Sequence, residues 1–173
     1  MSATDAPQLR PARDDDGDGL ADLIAACFAE YPGCLFDRAL EFPELDAIAT
    51  HFADQDGVIW LAEQRGRIVG SLGARPTADG GLELLKVYVD ARWRGTGLAL
   101  RLLGQAECLA SQRAAHQLEL WSDTRFERAH RFYAKHGFRP TGERRFLADI
   151  SDSWEARFVR PLNAAAGSRR ASP

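Results

Sequence analysis

Arg94-Gly95-Thr96-Gly97 stands between an apolar, β-branched run ending in Val87-Tyr88-Val89 and an amphipathic stretch opening at Leu98-Ala99. A strand that feeds a glycine turn and then a helix N-terminus is an anion site. The first-turn N–H groups lack intrahelical partners, and the helix dipole favours negative charge there. Arg92 and Arg94 flank the turn, and guanidinium forks suit phosphate oxygens. A solvated surface arginine is the plain alternative for each; Arg94, directly before Gly-Thr-Gly, is the better placed. Two common nucleotide signatures are missing. A dinucleotide fingerprint needs a third glycine where Leu100 stands, and a phosphate loop needs Gly-Lys-Ser/Thr. No acidic pair suited to magnesium stands out. The pattern predicts phosphates held by backbone amides and arginine, without a metal.

A second constellation lies downstream: Ala129-His130-Arg131-Phe132-Tyr133-Ala134-Lys135-His136-Gly137-Phe138. Arg94-Gly95-Thr96-Gly97-Leu98-Ala99 resembles the Arg/Gln-x-x-Gly-x-Gly/Ala coenzyme A motif of the GNAT N-acetyltransferases. The second stretch resembles that family's Asn-x-x-Ala-x-x-Phe-Tyr-x-x-x-Gly-Phe signature. The resemblance covers about residues 8–161. It implies that the amides of residues 94–99 cradle the pyrophosphate of acetyl-CoA. The backbone of Val87, Tyr88 and Val89 pairs with the pantetheine arm like an added strand, with the thioester near Val89. Tyr133 is then the candidate general acid, its phenol meeting the leaving thiolate; packing beside Phe132 is the alternative. Phe126 departs from the pattern, because Asn is usual there and its amide orients the arm. Asp123 and Thr124 are the side chains available to substitute.

Direct attack on a thioester requires a neutral amine, hence a base. Glu83 and Glu119 each interrupt an apolar strand run, which is unusual for a carboxylate with neither a partner nor a role. Both match strand positions of catalytic glutamates in GNAT subgroups. An ion-paired or solvent-facing residue is the alternative for each, Lys86 being a partner for Glu83, and a bulge would change which face either occupies. The loop joining the first two helices is where acceptors of this family bind, so Tyr31, Asp37 and Glu41 are acceptor-contact candidates. Cys34 has no nearby His and Asp to make it a nucleophile. His136 reads as a last-turn cation or a packed side chain. The implied activity is acetyl transfer to a primary amine of a small molecule or peptide. A non-catalytic acyl-CoA-binding module is the competing reading.

These residues need a scaffold, and the hydrophobic period supplies one. Strand-like runs cover 9–13, 58–63, 68–74, 82–89, 117–121, 142–150 and 154–160. Helical spacing covers 17–30, 43–53, a long segment after the glycine turn, and 127–136. Arg65-Gly66 and Asp79-Gly80-Gly81 read as hairpin turns, and Gly137 as a left-handed helix stop. The segment 82–121 is a parallel crossover. The order β-α-α-β-β-β-α-β-α-β-β predicts a mixed α/β domain: about seven mostly antiparallel strands with a splayed parallel pair, and about four helices.

The 173 residues fit one domain spanning 8–162, with small polar ends at 1–7 and 163–173 expected to be flexible. Apolar residues make up 45% and charged ones 27%, an ordinary globular balance. A net charge of −3 argues against a nucleic-acid partner. No apolar run has the length of a membrane span or of a signal peptide. The three cysteines have no metal or disulfide spacing, so a cytoplasmic protein is expected, monomeric or homodimeric.

Overall fold

The computed structural model describes residues 6–162. Seven strands form one sheet: β1 (Gln8–Pro11), β2 (Val58–Gln64), β3 (Arg67–Pro76), β4 (Leu82–Val89), β5 (Gln117–Asp123), β6 (Arg139–Phe146) and β7 (Trp154–Pro161). Their order is β1-β2-β3-β4-β5-β7-β6. Five α-helical segments accompany them among the described residues: α1 (Gly17–Phe28), α2 (Arg38–Glu41), α3 (Ile48–Ala53), α4 (Leu98–Gln112) and α5 (Glu127–Lys135). The β4–β5 pair is parallel and every other pair antiparallel. This topology is not a dinucleotide-binding sheet.

Local chemistry explains the joints. Arg65 and Gly66 both adopt positive φ, 50° and 76°, the combination that a two-residue hairpin turn with the sheet's own twist requires. α1 buries Leu20, Leu23, Ile24 and Cys27, one stripe at helical spacing. The helical pattern over 43–53 breaks in two. A 3-10 segment, Pro43–Ala47, ends at Ala47 with φ −151° before α3 begins. The strand expected at 142–150 starts earlier, at Arg139. It also ends earlier, at Phe146, and Gly142 at φ 88° sits in an irregularity within β6 rather than at its start. Of the expected flexible ends, 1–5 and 163–173 lie outside the described residues. Pro7 is buried, and its carbonyl accepts a bond from Arg101 Nη1 at 3.0 Å.

The sheet separates two cores. One face carries Leu82, Leu84, Leu118, Leu120 and Phe158, packed under α4 and α5. The opposite face is covered by α1 and α3 only over β2, β3 and β4, through Ile59, Leu61 and Leu85. Strand alternation sends Glu119, Trp121 and Asp123 of β5, and Glu155 and Arg157 of β7, to that second face. Beyond the helices this face is a charged floor.

Candidate active site

β4 and β5 pair only at Leu82–Leu118, Glu83–Glu119 and Leu84–Leu120, then part. The separation begins where β4 carries a bulge. Lys86 adopts φ 51°, and the register against β3 shifts between Ser71 and Gly73. The buried Ser71 Oγ donates to the Lys86 carbonyl at 2.6 Å and fixes the bulge. Past Leu84, the β5-facing edge of β4 has no strand partner among the described residues.

Two clefts open from this gap. One, of about 470 Å³, lies at the C-terminal end of β4, between the end of α1, the start of α4 and one face of α5. Gly95, Gly97, Ala99 and Leu100 form its glycine-turn wall. α4 makes its first intrahelical bond from Arg101 N to Gly97 O at 3.0 Å, so the amides of Leu98, Ala99 and Leu100 lie outside the helical ladder. The other cleft, of about 370 Å³, opens over the charged floor between β4, β5 and the β6–β7 loop. The clefts share Val87, Tyr88, Phe126, Ala129 and Tyr133, so they meet there.

The structure distributes the sequence-predicted residues unevenly. Val87, Tyr88 and Val89 line the larger cleft. Arg94 reaches it too, but its Nη1 and Nη2 each donate to Glu30 at 2.6 Å and its Nε to the Val89 carbonyl at 3.1 Å. Arg92 bonds Asp90 at 2.8 and 3.1 Å and lies outside both clefts. Thr96 donates its hydroxyl to the Trp93 carbonyl, and the Leu98 side chain is core. Tyr31 lines the larger cleft, 4.7 Å from the Phe126 ring, and Glu41 the smaller. Asp37 lies in neither; its Oδ1 accepts from Leu40 N and caps α2. Glu83 faces the smaller cleft with Oε2 held by Arg75 Nε and Nη2 at 2.8 and 2.6 Å. Lys86 is not its partner, pairing instead with Glu44 at 2.5 Å. Glu119 lies outside the clefts, bonded by Gln117 at 3.0 Å and Arg157 at 2.7 Å.

A GNAT acetyltransferase domain model matches residues 55–140. An uncharacterised N-acetyltransferase of Mycobacterium bovis is 32% identical over 153 residues, 85% of this chain and 98% of that one. The chain belongs to the GNAT acetyltransferase family. This acetyltransferase shares its fold with a GNAT-family acetyltransferase of Staphylococcus aureus, with a TM-score of 0.77 at 21% identity over 91% of this chain and 99% of that one. It also resembles the PaiA N-acetyltransferase of Thermoplasma acidophilum, solved with coenzyme A, with a TM-score of 0.69 at 14% identity over 94% and 100%. With relatives that are N-acetyltransferases along nearly their whole length, the protein is an acyltransferase enzyme. The non-catalytic module is set aside.

Electrostatics at the junction favour neutral phenols. Tyr133 is 5% exposed, and burial pushes its pKa up. Its hydroxyl has no hydrogen-bond partner among the described residues, yet the oxygen is not sealed from the cleft. Burial also raises Tyr88, with Cys27 and Tyr133 adding to it. Cys27 and Cys34 are raised by burial, so neither is a ready thiolate. Burial lowers the pKa of His130, which packs on Phe158 and touches Ser122 Oγ at 3.2 Å.

Three features escaped the sequence reading. Arg128 and Lys135 join Phe132 on the cleft face of α5, at i, i+4 and i+7, a spacing that was legible. Arg125 ties the smaller cleft's walls together. Its Nε and Nη2 hold Asp123 at 2.9 and 2.6 Å, Nη2 reaches Ser153 Oγ at 2.8 Å, and Nη1 reaches the carbonyls of Gly33 and Ser151 at 3.2 and 3.3 Å. Those bonds engage both Asp123 oxygens. Glu155 faces the same cleft from β7. Long-range pairing brings Arg125 and Glu155 to the site, and no local motif records it.

Proposed function

We propose that this enzyme transfers an acetyl group from acetyl-CoA to a primary amine by direct attack. The observation that carries the reading is the pair of clefts meeting at Tyr133 where β4 and β5 part. A donor entering from the glycine turn and an acceptor entering over the charged floor would face each other there. The larger cleft suits the donor. Its wall offers the free amides at the start of α4 to phosphate oxygens, with Arg128 and Lys135 beside them. Arg94 acts by holding the turn to α1 through Glu30. The unpaired edge at Val87, Tyr88 and Val89 offers backbone groups to an extended, amide-bearing arm. Phe126, against Tyr31 and Phe28, gives that arm an aromatic wall in place of an amide.

Acetyl-CoA supplies an activated acyl group as a thioester. The chain's part is to position it, free the amine of its proton and protonate the departing sulfur. Tyr133 suits the protonation of sulfur, because it stays neutral across the working pH range and its hydroxyl is uncommitted. The smaller cleft suits a cationic amine, because Glu41 and Glu83 face it. Both glutamates expected as base are ion-paired, Glu83 with Arg75 and Glu119 with Arg157, and of the two it is Glu83 that lines the cleft.

Tyr133→Phe tests the reading. The hydroxyl removed bonds no described residue, so the fold and coenzyme affinity should hold. Turnover, followed as coenzyme A release with a thiol reagent across polyamines, aminoglycosides, amino acids and peptides, should fall by about 100-fold, the lower range for a general acid. Equal turnover in the two proteins would remove Tyr133 from the chemistry.

A further inference from the structure

Glu155 is a carboxylate in the acceptor cleft that neither family motif marks. It lies opposite Asp123 of β5 and Arg145 of β6, and it shares the smaller cleft with Glu83 and Tyr133. Arg145 donates from Nε at 2.7 Å and from Nη2 at 2.6 Å, both to Oε2. The Arg145 guanidinium is stacked over the Trp121 ring, 4.4 Å from its centroid. Oε1 takes no bond from the described residues and is not sealed from the cleft. One oxygen is anchored and the other is presented.

We propose that Glu155 is the catalytic residue that accepts the ammonium proton of the acceptor, at Oε1. The inference rests on the amine-acetyltransferase reading above. The carboxylate takes one proton from the ammonium and leaves a neutral amine. The nitrogen lone pair forms the C–N bond, and the C–S pair leaves with sulfur. The thiolate takes the Tyr133 proton, and the nitrogen's surplus proton restores the phenol. Glu155 returns its proton to water, so each turnover releases one proton.

Arg75 holds Glu83 by one oxygen in the same way, so it is burial and neighbouring charge that favour Glu155 over it. Burial pushes its carboxyl above the ordinary range, Arg145 pulls it part of the way back, and the charges of Asp123 and Glu83 push it up. A carboxylate with raised proton affinity is the stronger base near neutral pH. The charged groups around it are Arg145 from β6; Asp123, with its partner Arg125, at the end of β5; and Glu83 with Arg75, and Lys86 with Glu44, along β4. Along β7 itself stands Arg157, which is held by Glu119 and Glu143. No cation other than Arg145 bonds Glu155 among the described residues. Tyr88 and Tyr133 are neutral phenols at this pH.

The test compares nucleophiles that do and do not need a base. Coenzyme A release is followed near neutral pH with protonated amines (spermidine, kanamycin, ethylamine) and with hydroxylamine, which is already neutral. Glu155→Gln should lower kcat/KM by about 100-fold for the protonated amines and by less than about threefold for hydroxylamine, with coenzyme A affinity unmoved. An equal loss on both nucleophiles, or no loss on the amines, overturns the proposal. Wild-type enzyme that uses hydroxylamine but no protonated amine has no such base, which also overturns it. Wild-type enzyme that uses neither overturns the acetyltransfer reading itself. As a second variant, Arg145→Gln removes the cation that holds the Glu155 pKa down. The acidic limb of its kcat/KM profile should move to higher pH, and an unmoved limb contradicts the assignment.

Discussion

Arg125→Ala should separate the stability of the acceptor cleft from the chemistry performed in it. The guanidinium makes a two-pronged contact with Asp123 and reaches Ser153 and the carbonyls of Gly33 and Ser151. Asp123 is 8% exposed, so the truncation strands a buried carboxylate whose remaining backbone bond comes from Arg125 N at 2.8 Å. Removing one member of a buried pair costs about 3–5 kcal/mol, and the partial exposure of Arg125 places this pair at about 2–3 kcal/mol. For a chain of this length, each kcal/mol moves Tm by about 2–4 °C, so calorimetry should show a drop of about 5–10 °C. The loop after α1 and the β6–β7 loop lose the tie through Arg125 and keep the direct bonds between Leu35 and Ser151. Acceptor KM should therefore rise roughly tenfold, since small misplacements of a reactant are costly. Coenzyme A affinity should hold. Burial pushes the Asp123 carboxyl up, but Arg125 more than offsets this and holds it below the ordinary carboxylate range. That stabilisation is complete above the ordinary range and is lost as pH falls through the depressed folded value. The gap between wild type and variant, full near neutrality, should close in acid. Arg125→Lys keeps the charge without the fork and should fall between the two. A variant with the wild-type Tm, or a gap that persists unchanged in acid, would refute the clamp.

Two glycines give contrasting outcomes. At Gly97, φ is 87° and an added Cβ would meet nothing within 4 Å, so Gly97→Ala costs only backbone strain, about 1–2 kcal/mol. Relief of that strain turns the amides at the start of α4, and calorimetric titration should show coenzyme A affinity falling about tenfold, the equivalent of 1.4 kcal/mol; unchanged affinity would argue against an amide cradle. At Gly17, a Cβ would stand 1.9 Å from the Leu45 carbonyl oxygen, so Gly17→Ala must push α1 off the 3-10 segment. Urea unfolding should show a loss of about 3 kcal/mol with coenzyme affinity little changed; a wild-type midpoint would contradict the packing.

Local patterns carried the end of the protein proposed to take the donor. The β4–turn–α4 unit, the Arg65-Gly66 hairpin and the Gly137 stop depend on φ preferences and periodicity within a few residues of one another. β4 begins and ends where its apolar run does. The acceptor end was less legible, because long-range pairing builds it. Glu119 and Glu83 both interrupt apolar runs, yet sequence cannot show that Arg157 and Arg75 sit across the sheet from them. Glu155 stands in an ordinary alternation, Trp154-Glu155-Ala156-Arg157, and acquires its place only when β7 inserts between β5 and β6. Arg94 shows the same limit. Its position before Gly-Thr-Gly suggests a phosphate ligand and places it in the larger cleft, but nothing local announces that Glu30, 64 residues earlier, bonds both terminal nitrogens.

The bulge at Lys86 connects these two ends. Without it, strict alternation would send Lys86 to the α4 side, with Leu84, and Val87 to the opposite side. With it, Leu85 and Lys86 both face the α1 and α3 side, where Lys86 meets Glu44, and Val87 and Val89 return to the core under α4 and α5. Tyr88 then points into the junction from one side of the sheet, while Tyr133 arrives from α5 on the other. The same extra residue bends β4 away from β5 and leaves unpaired the edge proposed to take the coenzyme arm. A regular β4 would continue its ladder with β5 toward Val89 and close the passage between donor and acceptor. The hydroxyl of Ser71, buried beneath the bulge, holds the Lys86 carbonyl in the bulged conformation. The meeting point of the two clefts therefore rests on a backbone irregularity that neither family motif contains.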